Sequence, residues 1–336
     1  MKKLSLALML VFICSTLIAS AGLAGCGGAK EVSWTFQHTE PNPEEFAAKC
    51  FIEMSERISE RTDGKFQIRI ALGKELGIDR ADIPEAVSRG DIEGGYLLTP
   101  VAAGIMPHAG VLGLPYLCNN LNDTVAVEEA IDDITAREME NLGFMETGYI
   151  VMPPQDWLSK NPVENMADLT GRKVRVWRDL DGELIKKLGG EPIYMPSTEI
   201  YLAMQRGVVD AANTGVTNYV SLALYEVGTH YYDLGFAPAA SWLIWNHEKY
   251  EALPEEYQTI LREETKKTEE YMRANLEQTI SDCIATMEEE GCEINYLSEN
   301  VKAEIRSMAK PLWEEWASRS AVEKETLDVA RKALGY

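Results

Sequence analysis

From residue 32 onward the chain repeats one unit, a short run of alternating apolar residues followed by an amphipathic helical stretch, and that repetition restricts the fold more than any other feature. Residues 32–36 alternate, and residues 43–60 then place Phe46, Ala47, Cys50, Phe51, Met54 and Ile58 on one helical stripe. Residues 65–70 alternate again with Phe66, Ile68 and Ile70 on one face, 79–89 read as a helix stopped at Gly90, and 91–98 read as a strand. A second block begins after Pro153-Pro154: strand 172–177, helix 181–188 closed by Gly189-Gly190, strand 192–195, helix 197–206 closed by Gly207, and strand 208–212. This order implies parallel strands with helical crossovers, an α/β fold. At 336 residues the chain is too long for one compact core, so two lobes are expected. Residues 254–290 then form an unbroken helical pattern, opened by Pro254 and closed by Gly291. At 1.5 Å per residue such a helix is about 55 Å long, more than one small lobe needs, so it is expected to brace both.

The chain carries 32 Lys+Arg against 54 Asp+Glu, a net charge of −22. Such a surface repels phosphate backbones, and no cluster of Lys and Arg with interleaved aromatics offsets it, which excludes nucleic acid as a partner. A small anion remains open, because one buried Arg sets the potential of a cleft whatever the outer surface carries. At the N-terminus Lys2 and Lys3 precede an apolar run over 4–24 that ends in Leu23-Ala24-Gly25-Cys26. The segment resembles a bacterial lipoprotein signal, with a permanent signal anchor as the alternative. Residues 1–25 are then the signal peptide, Cys26 carries lipid, and 26–31 form a tethered linker. Loss of 1–25 removes two lysines and no acid, which leaves a net charge of −24. No later stretch is long and apolar enough to span a bilayer, so the expected location is extracytoplasmic, on the periplasmic or cell-surface side of the membrane.

With Cys14 in the signal and Cys26 at the anchor, Cys50, Cys118, Cys283 and Cys292 remain, none in a Cys-x-x-Cys or Cys/His metal pattern. A Cys283–Cys292 disulfide is conceivable in an exported protein, but buried free thiols fit the helical settings of Cys50 and Cys283 better. The four histidines, His38, His108, His230 and His247, include no pair at helical ligand spacing, so no metal site and no cofactor are expected.

Several runs occur together in a fixed order: Leu72-Gly-Lys-Glu-Leu-Gly77, Ile83-Pro-Glu-Ala-Val-Ser-Arg-Gly-Asp-Ile92, Leu112-Gly-Leu-Pro-Tyr-Leu117, Gly171-Arg-Lys-Val-Arg-Val-Trp177, Leu188-Gly-Gly-Glu-Pro192 and Pro196-Ser-Thr-Glu-Ile-Tyr-Leu-Ala-Met-Gln-Arg-Gly-Val-Val-Asp210. Together they resemble the DctP-type solute-binding proteins of tripartite ATP-independent periplasmic (TRAP) transporters, over essentially the whole mature chain. The resemblance implies a two-lobe, periplasmic-binding-protein-like clamshell that closes over a small carboxylate and delivers it to membrane permease subunits. On this reading lobe 1 comprises 32–153 plus about 238–275, lobe 2 comprises 154–237 plus about 276–320, and 321–336 form a C-terminal helix or tail. A monomer is expected.

The strand phase at 173–177 agrees with this. Val174 and Val176 face one way, which leaves Arg175 and Trp177 on the opposite face. A guanidinium matches a carboxylate bidentately, where Lys supplies only a point charge. The family's carboxylate-binding Arg falls at Arg175, expected as a solvated cleft residue whose loss leaves stability nearly unchanged. An exposed strand Arg paired with a surface acid is the plain alternative. Asn213 is read at the end of strand 208–212, where α/β sheets border their ligand crevice, although Asn is also a common turn residue. By the family pattern Asn213 contacts the solute. Gln155 matches a position where many members place a second Arg or another polar contact, which argues against a bulky polyanion. Where some members hold a metal with a Glu-Trp pair, this chain has Asn213-Thr214, which argues against a metal.

Ser197 stands where some members carry an aromatic lid, or else caps the following helix, as Thr198 also could. Trp177, Trp157, Tyr96 and Phe236 are candidates for an apolar wall, and only Trp177 shares a face with Arg175. Trp313 and Trp316 read as helix packing. His38, Thr39 and Thr99 fall near family contact positions on the first lobe. Two other classes compete. A lipid-anchored partner of a membrane sensor uses the same binding physics. An exported hydrolase needs a nucleophile, base and orienting group, and no Gly-x-Ser-x-Gly or His-Glu-x-x-His is present.

Overall fold

The computed structural model describes residues 31–336. Cys26 and the expected signal segment lie outside the described residues. Strand β1 (Val32–Gln37) leads into helix α1 (Phe46–Arg61), whose stripe of Ala47, Cys50, Phe51, Met54 and Ile58 is buried. Glu45 caps that helix, its carboxylate accepting from Ala48 N at 3.0 Å, which meets one of the four donors a helix start leaves open. There follow β2 (Phe66–Ala71), α2 (Ile83–Ser88), β3 (Gly94–Leu98), α3 (Thr99–Ile105) and α4 (Leu121–Asn141). Gly94 is needed in β3 because a Cβ there would collide with the Trp245 ring. The second block contains β4 (Phe144–Ser159), β5 (Lys173–Val176), α5 (Asp179–Lys187), β6 (Glu191–Tyr194), α6 (Ile200–Gln205), β7 (Ala211–Gly215) and α7 (Val216–Ser221). The chain ends with β8 (His230–Asp233), β9 (Pro238–Asn246), α8 (His247–Glu251), α9 (Glu255–Glu289), β10 (Glu293–Tyr296), α10 (Glu299–Ala317) and α11 (Ala321–Ala333).

The sheet has the order β2-β1-β3-β9-β4-β7-β5-β6, with β8 paired to β4 and β10 to β8. Its flanks are parallel, as the strand and helix alternation leads one to expect: β1 with β2 and β3, β5 with β6 and β7. Its middle is not. β9 runs antiparallel to β3 and β4, and β4 runs antiparallel to β7 and β8. The 16-residue β4 serves both halves of the molecule. Phe144–Val151 pairs with β9, Gln155–Ser159 pairs with β7, and the register shifts between Val151 and Pro154. Proline cannot donate to a ladder, so Pro153 and Pro154 mark the place where one set of partners is exchanged for the other. The lobe boundary expected at 153 and 154 therefore falls inside a continuous strand.

Helix α9, 35 residues and about 52 Å long, is the observed brace. Tyr257, Ile260, Leu261 and Met272 belong to the core under β1 and β2, while Met287 belongs to the core around β7 and α7. Arg57 and Arg61 of α1 both bond the buried Glu264 of α9, at 2.6 and 3.0 Å. The C-terminal helices return across the molecule, with Leu312 in the second-lobe core and Trp316 and Leu327 in the first. Trp313 Nε1 donates to the Pro115 carbonyl at 2.8 Å, as the packing role read for it requires. Cys50, Cys118, Cys283 and Cys292 are free thiols, and burial pushes Cys50 and Cys118 up to about 12. Among the described residues no helix is long and apolar enough to cross a membrane.

Candidate functional site

A cavity of about 460 Å³, counted with its open mouth, lies where the two halves of the sheet meet. Arg175 reaches it from β5. The alternation of β5 buries Val174 and Val176 in the second-lobe core and turns Arg175 and Trp177 to the cavity. Arg175 Nε donates to the Met195 carbonyl at 3.0 Å and Nη1 to the Asn213 carbonyl at 2.8 Å. These two bonds aim the fork and leave Nη2 without an acceptor among the described residues. Burial, with Arg80 nearby, pulls its guanidinium down to about 10. At 1% exposure Arg175 is not the solvated residue expected from sequence. Its removal would leave two main-chain carbonyls without these donors, which argues for a cost in stability where none was expected.

Gln155 and Trp177 form a pair beside it, Trp177 Nε1 donating to Gln155 Oε1 at 2.9 Å. Thr214 lines the cavity at the end of β7, and Thr39 and Ser197 line it from opposite lobes. Ser197 opens a short 3₁₀ turn, but its hydroxyl does not cap that turn. It donates instead to the Glu40 carboxylate at 3.1 Å, across the cleft. Thus Arg175, Gln155, Trp177, Thr214, Ser197 and Thr39 come together.

Six other candidates lie elsewhere. Asn213 is not at a strand end. β7 begins at Ala211, just after Asp210, whose N–H donates to the Lys173 carbonyl and whose carboxylate accepts from Lys173 N. Asn213 instead sits inside the strand opposite Trp157, its carbonyl holding Arg175 while its buried side-chain amide has no partner among the described residues. His38 and Tyr96 stack at 4.9 Å, both buried in the first lobe and neither lining the cavity. There His38 Nδ1 accepts from Glu40 N at 3.2 Å, and burial lowers its ring to about 4, so it acts as a neutral prop for Glu40. Phe236 is a core residue beside Tyr116, and Trp157 packs in the same cluster. Thr99 turns away, donating to the Ala240 carbonyl at 2.7 Å.

Sequence reasoning missed two charged residues of the cavity, Glu40 and Arg80. Arg80 enters from the turn before α2 and lies over Trp177, its Cζ 5.6 Å from the ring centroid. A second guanidinium is therefore present, although position 155 is Gln. Glu40 is buried, which pushes its carboxyl up, and Arg80, Ser197 and Arg175 pull in the opposite direction. Its signal in the sequence was the single acid after His38-Thr39, in a segment with no periodicity. Among the described residues no group of three or more His, Cys, Asp or Glu side chains is placed to hold a metal ion.

Two α/β lobes that share a mixed sheet and enclose a small cationic cavity define the architecture of a solute receptor. Residues 36–320 match the DctP family, bacterial extracellular solute-binding protein family 7, and the chain belongs to it. The chain is 24% identical over 288 residues to the 2,3-diketo-L-gulonate-binding periplasmic protein YiaO of Escherichia coli, covering 82% of this chain and 84% of that one. Its fold matches DctP7 of Bordetella pertussis, an extracytoplasmic solute receptor binding pyroglutamic acid. The TM-score is 0.83 at 20% identity, over 89% of this chain and 99% of that one. It matches equally a TRAP periplasmic solute-binding protein from Chromohalobacter salexigens with bound D-glucuronate, at TM-score 0.83 and 21% identity, over 89% and 99%.

Proposed function

We propose that this chain captures a small organic carboxylate between its lobes and hands it, unchanged, to the permease subunits of a TRAP transporter. The observation that carries this is Arg175, a buried guanidinium held by two carbonyls with one nitrogen left over for a solute oxygen. Arg80, Gln155, Trp177, Ser197, Thr39 and Thr214 complete the binding surface, and Asn213 contributes by positioning Arg175. The lobes, 32–153 with about 238–275 and 154–237 with about 276–320, rotate about β4 and α9. A solute touching both favours the closed form by its differential affinity. The solutes of the relatives, each an acid, support this class. Delivery from the outer face of the membrane fits a lipid tether on Cys26 and a monomeric receptor.

The test is to release the solute retained on gently purified protein, identify it by mass spectrometry, and titrate it back calorimetrically. A carboxylate that binds reversibly and is recovered intact is expected. A retained solute without a carboxylate, or one converted on incubation, overturns the proposal.

A further inference from the structure

The cavity holds more charge than one carboxylate needs. Arg175 and Arg80 bring two cations from opposite lobes, and the same cavity is lined by an acid that belongs to the protein, Glu40. Among the described residues the Glu40 carboxylate accepts from its side-chain neighbour Ser197 Oγ, at 3.1 and 3.4 Å, and pairs with neither guanidinium. Arg80, for its part, makes a ring contact with Trp177 and no ion pair to a described residue. Both Arg residues are thus left to a solute, and the Glu40 carboxylate, when ionised, adds one negative charge to the same space. One solute carboxylate brings two cations and two anions into balance. A second solute carboxylate would add a third anion beside Glu40, in a space with little water to screen it.

The hydrogen-bonding inventory points the same way. Besides the free lone pairs of Glu40, the cavity is lined by Asn218, whose buried Oδ1 has no partner among the described residues while its amide nitrogen donates to Thr214 Oγ1 at 3.0 Å. Buried acceptors left unmet are costly, so a fitting solute must offer donors to this side. We infer that Glu40 determines specificity by acting as a built-in second carboxylate: the site selects solutes with one carboxylate and a neutral hydroxyl or N–H donor, and rejects dicarboxylates. This inference rests on the carboxylate reading of the site.

The experiment is calorimetric titration of wild type, Glu40→Gln and Glu40→Ala with pairs that differ in one carboxylate exchanged for a hydroxymethyl group. The pairs are gluconate with glucarate and 5-hydroxypentanoate with glutarate, and pentanoate serves as the donor-free control. Wild type is expected to prefer the hydroxy acid of each pair, and to prefer 5-hydroxypentanoate over pentanoate, by about tenfold or more. Glu40→Gln keeps the Ser197 bond and removes the charge, and should move the pairwise ratio about 10- to 100-fold toward the dicarboxylate. Glu40→Ala should move it in the same direction, which covers the case in which one variant folds poorly. Preference of the wild type for dicarboxylates, or a ratio unchanged in both variants while carboxylates still bind, overturns the role of Glu40 and leaves the receptor reading standing. Absence of binding of every carboxylate to every protein overturns both.

Discussion

Two of the places where the molecule withdraws carboxylates from water are built on opposite principles. In the cleft burial pushes the Glu40 carboxyl up, and Arg80, Ser197 and Arg175 offset that rise in part. At the seam where α4 and α9 cover β4, Glu146 loses its water and gains only Glu128, Asp132 and Glu269, so burial and like charge together push it up to about 8. Glu128 in the same seam is pushed up to about 7. Desolvation is common to both places, and the sign of the neighbours decides what the group becomes. In the cleft the neighbours oppose the rise that burial imposes; in the seam they add to it.

The largest effect that would break this contrast lies at Arg175. A buried carboxylate deprived of its charged partner loses about 3–5 kcal/mol, so Arg175→Ala should weaken solute binding by about two to four orders of magnitude. Arg175→Lys should recover part of this, because charge returns without the fork. Unlike a solvated Arg, this one also supports the fold. With the Met195 and Asn213 carbonyls left without donors, Arg175→Ala should cost about 1–3 kcal/mol of stability in the absence of solute. Titration and melts on one preparation check both, and normal binding by a destabilised Arg175→Ala protein would make Arg175 a purely structural residue.

Arg80 gives the next effect, and it separates binding from stability. It stacks on Trp177 and pairs with no described acid, so Arg80→Ala should cost about 0.5–1 kcal/mol of stability, the worth of a partly exposed guanidinium on an indole. Its loss to solute affinity should be larger, about 10- to 100-fold, the size of a charge-assisted hydrogen bond. Equal affinity in the variant would show that Arg175 alone holds the solute anion.

How much of this was readable depends on how far apart the partners are in sequence. The face of Arg175 followed from alternation within four residues of β5, and the burial of Val174 and Val176 shows why: a strand fixes the side of each residue by parity. The stripe of α1 and the length of α9 were legible for the same local reason. Glu40 was not, since its meaning depends on Ser197, 157 residues away, and on a cavity that exists only when the lobes meet. Arg80 looked like an ordinary charged residue before a helix, because nothing near it in sequence marks Trp177 as its neighbour. The central antiparallel strands were missed as well. β4 is buried along much of both faces and β9 is close to continuously apolar, so neither shows the alternation by which the flanking strands were found.

The smallest effect concerns the seam, and its sign follows from which state holds the protons. A Glu in the unfolded chain titrates near 4.5, and Glu146 in the folded chain near 8. Between those values the folded state binds more protons than the unfolded one, so stability is fully present below about pH 4.5 and is lost as pH rises toward 8. Glu128 contributes in the same direction up to about 7. Thermal melts from pH 5 to 8.5 should therefore show a falling melting temperature. Glu146→Gln, which keeps the shape of the protonated acid and cannot ionise, should flatten that fall by roughly one proton's worth of slope while leaving solute affinity unchanged. A melting temperature that rises across this range, or an unaltered slope in Glu146→Gln, would mean that the seam carboxylates are ionised and paired, and that the two sites do not differ in the way their neighbours imply.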